Sequence, residues 1–352
     1  MTGEYAVWVT RTEVASPLKF RFACQQMFRR GLLLIAATPA LLASCANAWS
    51  PQSAPAIAEP AEATLIPAAP KKGFQFPYLL RLPPASKAGA LPFMLVEPNN
   101  TGHPSADFDE HLRSAVALAN DGVGSHVARI LSIPLLIPVF PRLEELYTQS
   151  LSRQTLLTAD PRLRRLDKQL LAMIADARHR LSEKGIRVNR RVLLTGFSAS
   201  GMFVTRFAAL HPSEVQALAA GGVNGFVILP TERLGTTLLP FPLGVADLSS
   251  VADSSFSAVE WRQVAQFIFM GAKDSNDAVK CDDAYPPDER TIIYEYLGET
   301  MLPDRWEKCQ QLYREAGASV TFRTYAGLGH ETDATVHAEI ASFLRQACLS
   351  GR

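Results

Sequence analysis

RVLLTGFSASGMF, the stretch from Arg191 to Phe203, decides the predicted fold of this chain. An aliphatic and β-branched run stops at Gly196, and a pattern typical of a helix continues to Leu210, before Pro212. The stretch therefore predicts a strand, a sharp turn and a helix. Such a turn holds its central residue in a strained backbone conformation and lifts that side chain above the sheet.

The serine in this turn is the candidate nucleophile. A turn this tight requires small residues two positions before and after the nucleophile, and Gly196 and Ser200 fill these positions around Ser198. The alternative register, with Ser200 as nucleophile, places Met202 at a crowded position, where it is too large. Ser198 is therefore predicted to be the nucleophile. Ser200 stands where the usual G-x-S-x-G motif has its second glycine.

A nucleophilic serine needs a base that accepts its proton and an acid that orients the base. Asp274 and His330 each follow a predicted strand through a short glycine-containing turn, and both come after Ser198 in the chain. Three residues with the required chemistry at three strand ends are harder to obtain by chance than one turn. Asp277 is an alternative acid, and His103, in a loop after an early strand, is a candidate pocket residue.

The rest of the chain alternates between strand-like and helical patterns. Residues 223–264 form an irregular span, and insertions of this kind often shape a substrate pocket. Alternation with short connections predicts an α/β fold with a mostly parallel central sheet and helices on both faces. Besides the strand and helix on either side of Ser198, strands are predicted at residues 74–82, 92–96, 215–220, 265–270 and 320–325. Helices are predicted at 108–119, 167–184, 288–297, 303–316 and 335–348.

The composition limits the classes of partner. With 352 residues, of which 47% are hydrophobic, the chain can bury one large core. Its formal charge of +1 gives no electrostatic reason to expect nucleic acid as a partner. The acidic run at residues 274–277 lacks the spacing of a calcium loop, and no cysteine spacing resembles a zinc site. We therefore expect a small neutral substrate and neither a metal nor a cofactor.

The N-terminal region has the pattern of an export signal. Arg29 and Arg30 precede an apolar segment, residues 31–43, that is too short to span a bilayer. The following Leu-Ala-Ser-Cys tetrad resembles the bacterial lipobox and predicts lipidation of Cys45. Ordinary cleavage after Ala48 and twin-arginine export are the alternatives. We expect a periplasmic, outer-membrane or cell-surface lipoprotein, or a secreted protein, with membrane contact only through the lipid anchor.

The export signal divides the chain into segments. Residues 1–26 are interpreted as a non-native upstream extension, because Met27 would begin a signal of normal length. Residues 27–48 form the signal, residues 49–72 a linker rich in proline and alanine, and residues 73–352 the folded domain.

Three cysteines remain after the signal. An odd number allows at most one intrachain disulfide. Cys281 and Cys309 are the preferred pair, because their bridge would attach the loop of the candidate acid to the following helix. Three unpaired thiols, including Cys348, are the alternative.

Residues 74–348 resemble the α/β-hydrolase superfamily, and more closely secreted bacterial esterases related to polyhydroxyalkanoate depolymerases and feruloyl esterases. The resemblance is carried by four motifs: Gly196-Phe197-Ser198-Ala199-Ser200-Gly201, Leu210-His211-Pro212, Gly271-Ala272-Lys273-Asp274 and Gly327-Leu328-Gly329-His330-Glu331. It implies a serine hydrolase that cleaves small or polymeric carboxylic esters through an acyl-enzyme on Ser198. A serine peptidase of the same fold and a non-catalytic, ligand-binding surface lipoprotein are the alternatives.

The resemblance also implies an oxyanion hole. Its first donor would be the backbone N–H of Ala199, which follows the nucleophile. The second would come from Asn100 or Thr101 in the loop after an early strand, although this loop lacks the His-Gly-Gly form found in many relatives.

Overall fold

A central sheet organises the part of the chain that the computed structural model describes, which is residues 63–83, 92–282 and 284–350. Eight strands form this sheet, and a separate hairpin consists of two further short strands. The strands are β1 Ala63–Ile66, β2 Tyr78–Arg81, β3 Leu95–Val96, β4 Leu135–Pro138, β5 Val192–Phe197, β6 Val215–Gly221, β7 Arg233–Leu234, β8 Thr237–Leu238, β9 Ala265–Gly271 and β10 Val320–Tyr325.

The strand order in the central sheet is β1-β2-β4-β3-β5-β6-β9-β10. β2 is antiparallel to both of its neighbours, β1 and β4, whereas all other neighbouring pairs are parallel. The carboxyl ends of β5, β6, β9 and β10 therefore meet at one edge of the sheet. In α/β folds this edge is where ligands bind and where side chains from separate segments converge.

Helices cover both faces of the sheet, as predicted. Their bounds are α1 Phe108–Asp121, α2 Val123–Leu131, α3 Arg153–Leu157, α4 Leu166–Glu183, α5 Ala199–Leu210, α6 Leu248–Val251, α7 Ala258–Gln263, α8 Pro287–Leu297, α9 Trp306–Glu315 and α10 Ala334–Ser350.

The two faces bury two separate hydrophobic clusters. Successive strand residues point to opposite faces, so Leu193 packs into the cluster that also contains α1, α2 and α10 residues, and Leu194 packs into the cluster with α4 and α5 residues. Both leucines are fully buried. Burial on both faces explains why these parallel strands read as continuous aliphatic runs rather than as alternating patterns.

The folded domain begins earlier than the sequence indicates. The predicted linker extends to residue 72, but Ala63–Ile66 pairs in antiparallel register with β2, so the domain boundary at residue 73 is wrong. Backbone hydrogen bonds to β2 hold this segment at the edge of the sheet, and its alanine-rich composition does not predict such pairing. The predicted extension at 1–26, the signal at 27–48 and Cys45 lie outside the described residues.

Among the described elements that the sequence pattern did not predict are β4 and α2. β4 follows Pro134 and ends at Pro138 yet pairs with both β2 and β3, and α2 follows α1 after a single glycine. The irregular span at 223–264 holds only the short hairpin β7–β8 and the short helices α6 and α7. In the described part of the chain, no helix has the length and apolar character needed to cross a bilayer.

The structure does not form the predicted disulfide between Cys281 and Cys309. Cys309 is a buried thiol on α9 whose sulfur lies against the backbone of Val227, and burial raises its pKa to about 12. Cys281 is half-buried at the end of a short helical turn. Cys309 is therefore held by packing in the core and not by the predicted disulfide with Cys281.

Candidate active site

Ser198 lies at a strained strand-to-helix turn. β5 ends at Phe197 and α5 begins at Ala199, and Ser198 between them has a φ of 63° and a ψ of −128°. A positive φ is unfavourable for a residue with a side chain, and such strain persists only where the surroundings enforce it. Here the Ser198 N–H donates to Gly221 O at 2.9 Å, at the end of the neighbouring strand β6. The half-buried serine is thereby presented at the carboxyl edge of the sheet.

The glycines of the turn are required by close backbone approaches. A Cβ on Gly196 would lie 2.4 Å from Ser200 O, and a Cβ on Gly201 would lie 2.6 Å from Gly221 O. Both distances are far below any van der Waals contact, so neither position accepts a side chain without movement of the backbone. The packing of β5, β6 and α5 around the turn therefore depends on these two residues.

Ser200 does more than keep the turn small. Its side chain is buried, and its Oγ donates to Phe197 O at 2.8 Å and accepts from Phe197 N at 2.9 Å. A glycine at this position, as in the usual motif, could make neither bond. The serine hydroxyl thus closes the turn from inside and satisfies both polar groups of the residue that precedes Ser198.

Asp274 and His330 form a hydrogen-bonded pair at the same edge. Asp274 follows β9, His330 follows β10, and His330 Nδ1 lies 2.8 Å from Asp274 Oδ2. Because a carboxylate can only accept, Nδ1 carries the proton and Nε2 of the neutral ring is an acceptor. The Asp274 side chain is almost completely buried, whereas 27% of the His330 side chain is exposed. Phe197 supports the imidazole, with 4.7 Å between the ring centroids.

Two asparagines connect His330 to Ser198. Asn276 Nδ2 donates to His330 Nε2 at 2.9 Å and to Asn224 Oδ1 at 3.3 Å, and Asn224 Nδ2 donates to Ser198 Oγ at 3.1 Å. Among the described hydrogen bonds there is none directly between Ser198 Oγ and His330 Nε2. We call Asn224 and Asn276 the asparagine pair.

Sequence reasoning missed the asparagine pair. Asn224 follows the end of β6, which lies between β5 and β9 in the sheet, and Asn276 is two residues after the candidate acid. A search for polar residues just past every parallel strand would have found both positions.

Asp277, the alternative acid, is placed elsewhere. Its Oδ2 accepts from the completely buried Arg305, and its Oδ1 accepts from the Val279 N–H. Arg305 also donates through Nε to Gly225 O at 3.1 Å. The carboxylate of Asp277 therefore anchors a loop, and the structure brings Asp274, not Asp277, to His330.

The candidate oxyanion donors differ in availability. Ala199 is the first residue of α5, so its N–H has no acceptor within the helix. The Thr101 N–H is already donated to Gln149 Oε1 at 2.8 Å. Asn100 lies against the turn, because its Nδ2 donates to Phe197 O at 3.3 Å, and no acceptor is recorded for its N–H among the described backbone bonds. Of the two predicted second donors, Asn100 is therefore the better placed.

The remaining candidates fall outside this cluster. His103 is exposed and pairs with Glu110 at 2.6 Å, so it does not reach the serine through the described contacts. His211, in the Leu-His-Pro motif, bonds to the buried Asp167 at 2.8 Å and joins two helices. Within the described ranges, no three His, Cys, Asp or Glu residues lie close enough to hold a metal ion.

No known protein-family profile matches the chain, and no curated protein is significantly similar in sequence. Solved structures are similar at low identity. A poly(aspartic acid) hydrolase from Sphingomonas sp. KT-1 is 15% identical, with a TM-score of 0.51 over 83% of this chain and 98% of that one. A poly(3-hydroxybutyrate) depolymerase from Bordetella parapertussis is 17% identical, with a TM-score of 0.49 over 79% and 93%. A ferulic acid esterase is 15% identical, with a TM-score of 0.40 over 76% and 92%.

The predicted resemblance is confirmed at the level of the fold. The mostly parallel sheet carries the strained serine turn on β5, and the acid and the histidine follow the two strands beyond β6 in the same sheet. The structural similarity covers four fifths of the chain. The strand order and this similarity together show that the chain has the α/β-hydrolase fold.

Proposed function

We propose that the protein is a serine hydrolase that cleaves carboxylic esters through an acyl-enzyme on Ser198. One observation carries this proposal: a serine in a strained turn shares one sheet edge with an Asp–His pair whose Nε2 is an acceptor. This is the combination of groups that acyl transfer to a serine requires. The structural similarity to a poly(aspartic acid) hydrolase is consistent with a hydrolase of this fold.

The proposed reaction begins when Ser198 Oγ attacks the ester carbonyl and His330 Nε2 takes the hydroxyl proton. Asp274 holds the imidazole in the correct tautomer and stabilises the imidazolium that forms. The carbonyl oxygen, now an anion, accepts hydrogen bonds from the backbone N–H groups of Ala199 and Asn100. Each such donor contributes on the order of 3 kcal/mol to the lowering of the barrier. Nε2 then protonates the leaving alcohol, and water releases the acyl group by the same steps.

The reaction requires Ser198 and His330 to approach each other. In the structure Asn276 Nδ2 donates a hydrogen bond to His330 Nε2, so the Asn276 side chain must turn aside when substrate enters. Hydrogen bonds of catalytic groups are often absent or long without substrate and form in the complex. The partial exposure of His330 supports such an adjustment, because solvent reaches the imidazole.

The test is covalent labelling of the purified protein with a fluorophosphonate, followed by hydrolysis of p-nitrophenyl acetate and butyrate. We expect labelling on Ser198 and loss of both activities in Ser198→Ala. Ser182→Ala, at an exposed serine on α4, is the matched control and should behave as wild type. Equal hydrolysis by Ser198→Ala and wild type would contradict the proposal.

We also propose that the protein is exported and anchored through a lipid on Cys45. The lipobox-like tetrad supports this, and the proposal is tested by expressing the chain from Met27 in a bacterium fed a labelled fatty acid. Incorporation of label that is lost in Cys45→Ser is expected. Label that is absent from the wild-type chain would leave ordinary cleavage after Ala48 as the better explanation.

A further inference from the structure

The asparagine pair engages both reacting atoms of the proposed site. Asn276 Nδ2 is 2.9 Å from His330 Nε2, and Asn224 Nδ2 is 3.1 Å from Ser198 Oγ. The chemistry of acyl transfer to a serine does not need either carboxamide. Their presence beside the two reacting atoms therefore calls for another role.

The pair is held in place by a buried network. The Asn276 N–H donates to Asp274 Oδ1 at 2.9 Å, so its backbone is tied to the acid itself. Arg305, which is completely buried, donates to Gly225 O and to Asp277 Oδ2, the residues that directly follow each asparagine. One guanidinium thus fixes both loops. Preorganised polar groups supported by such a second layer are typical of sites that recognise a ligand.

The pair lies where the leaving group must depart. In acylation the bond from Ser198 Oγ to the carbonyl carbon forms while His330 Nε2 takes the Oγ proton. Nε2 then gives this proton to the alcohol oxygen as the bond from that oxygen to the carbonyl carbon breaks. The alcohol oxygen must therefore come to about 3 Å from Nε2. Asn276 Nδ2 is 2.9 Å from the same nitrogen, so when its carboxamide gives up Nε2 to the alcohol oxygen it stays beside the groups attached to that oxygen.

We propose that the asparagine pair is a leaving-group subsite that selects esters whose alcohol carries a hydroxyl, carbonyl or amide group within two carbons of the ester oxygen. This inference rests on the proposed function. An alkyl alcohol displaces the carboxamides from Ser198 and His330 and offers them no partner, which is costly because Asn224 is only 3% exposed. A polar alcohol replaces the lost hydrogen bonds. Sites built to bond a polar group discriminate strongly against an apolar analogue.

The experiment compares 2-hydroxyethyl butyrate with n-propyl butyrate, in which a methyl replaces the terminal hydroxyl. Both substrates form the same butyryl-enzyme, so deacylation is identical and kcat/KM reports acylation alone. The values are divided by the alkaline hydrolysis rates of the two esters, which removes their intrinsic difference in reactivity. We expect wild type to prefer the hydroxyethyl ester by about tenfold or more. Asn276→Leu, with nearly the same shape, should bring the ratio close to one.

The matched control is Asn120→Leu, at an exposed asparagine on α1, which should keep the wild-type preference. A wild-type ratio near one refutes the subsite, and this result does not depend on the folding of any variant. An unchanged ratio in Asn276→Leu, even with both rates lowered, also refutes it and assigns Asn276 to the orientation of His330. Absence of hydrolysis and of fluorophosphonate labelling instead contradicts the proposed function itself.

Discussion

Ser200→Ala tests whether the Ser200 hydroxyl holds the turn around Ser198 in place. The substitution removes two hydrogen bonds, one to Phe197 N at 2.9 Å and one to Phe197 O at 2.8 Å. Phe197 O keeps a second donor, Asn100 Nδ2 at 3.3 Å, whereas the Phe197 N–H loses its acceptor. Leaving a fully buried donor unsatisfied costs about 1–3 kcal/mol; the Phe197 N–H is partly buried, and the loss of a hydrogen bond whose acceptor stays paired costs less. We therefore expect a loss of about 2 kcal/mol of unfolding free energy.

The loss is measured by urea unfolding, with Thr205→Val as a matched control in the same helix. Thr205 Oγ1 donates to Met202 O, one turn back in α5. Removing this hydroxyl leaves no N–H group without an acceptor, so the substitution should lower the unfolding free energy by less than about 1 kcal/mol. Ser200→Gly, which restores the usual motif, should lose at least as much stability as Ser200→Ala. Equal midpoints for Ser200→Ala and Thr205→Val would refute the reasoning.

The same variant tests the link between the turn and reactivity. If Ser200 maintains the positive φ of Ser198, a relaxed turn displaces Oγ, and displacements near 1 Å cost about a hundredfold in rate. We expect fluorophosphonate labelling of Ser200→Ala to be at least about tenfold slower than that of wild type. Reduced stability with an unchanged labelling rate would show that Ser200 supports α5 without shaping the nucleophile.

Three further predictions concern carboxylates. Asp274→Asn should lower kcat by on the order of 10⁴-fold with little change in stability, because the imidazole loses the partner that fixes its tautomer. An ester assay measures the change in kcat, and urea unfolding measures the change in stability. Asp277→Asn should instead destabilise the fold by about 3–5 kcal/mol, because it leaves the charge of buried Arg305 without its carboxylate. A large loss of kcat with an unchanged free energy of unfolding would contradict this and make Asp277 the catalytic acid. Burial raises the pKa of Glu97 to about 8 from 4.5, although the Gly124 N–H and Arg81 oppose the shift. The folded chain therefore holds a proton that the unfolded chain releases, and stability present below about pH 4.5 is lost as pH rises to about 8, by on the order of 5 kcal/mol. Unfolding of Glu97→Gln should lack this slope, and parallel pH profiles would contradict the assignment.

The local patterns of the chain predicted much of the fold. The helix at residues 167–184 and the strand at 320–325 agree with α4 and β10 within a residue. Such elements follow from periodicity and from breakers nearby in the chain. The predictions failed where pairing with a distant segment overrides local preference, as in β1 and in the proline-flanked β4.

In the candidate site too, some features follow from the local sequence and others only from tertiary contacts. The sequence by itself determined the serine turn and the order of Ser198, Asp274 and His330, because each position follows from a strand end that local patterns mark. Only the tertiary structure decided that Asp274 rather than Asp277 meets His330, and that the N–H of Thr101 is already occupied by Gln149.

Tertiary structure alone also revealed that Asn224 and Asn276, which are 52 positions apart in the chain, contact each other. Their contact depends on β6 and β9 being neighbours in the sheet and on Arg305 gathering both loops. Contacts between distant segments arise from the packing of the whole sheet, and no local pattern records them. The sequence therefore determined which candidate residues lie at the strand ends, and the tertiary structure determined which polar groups surround the serine turn.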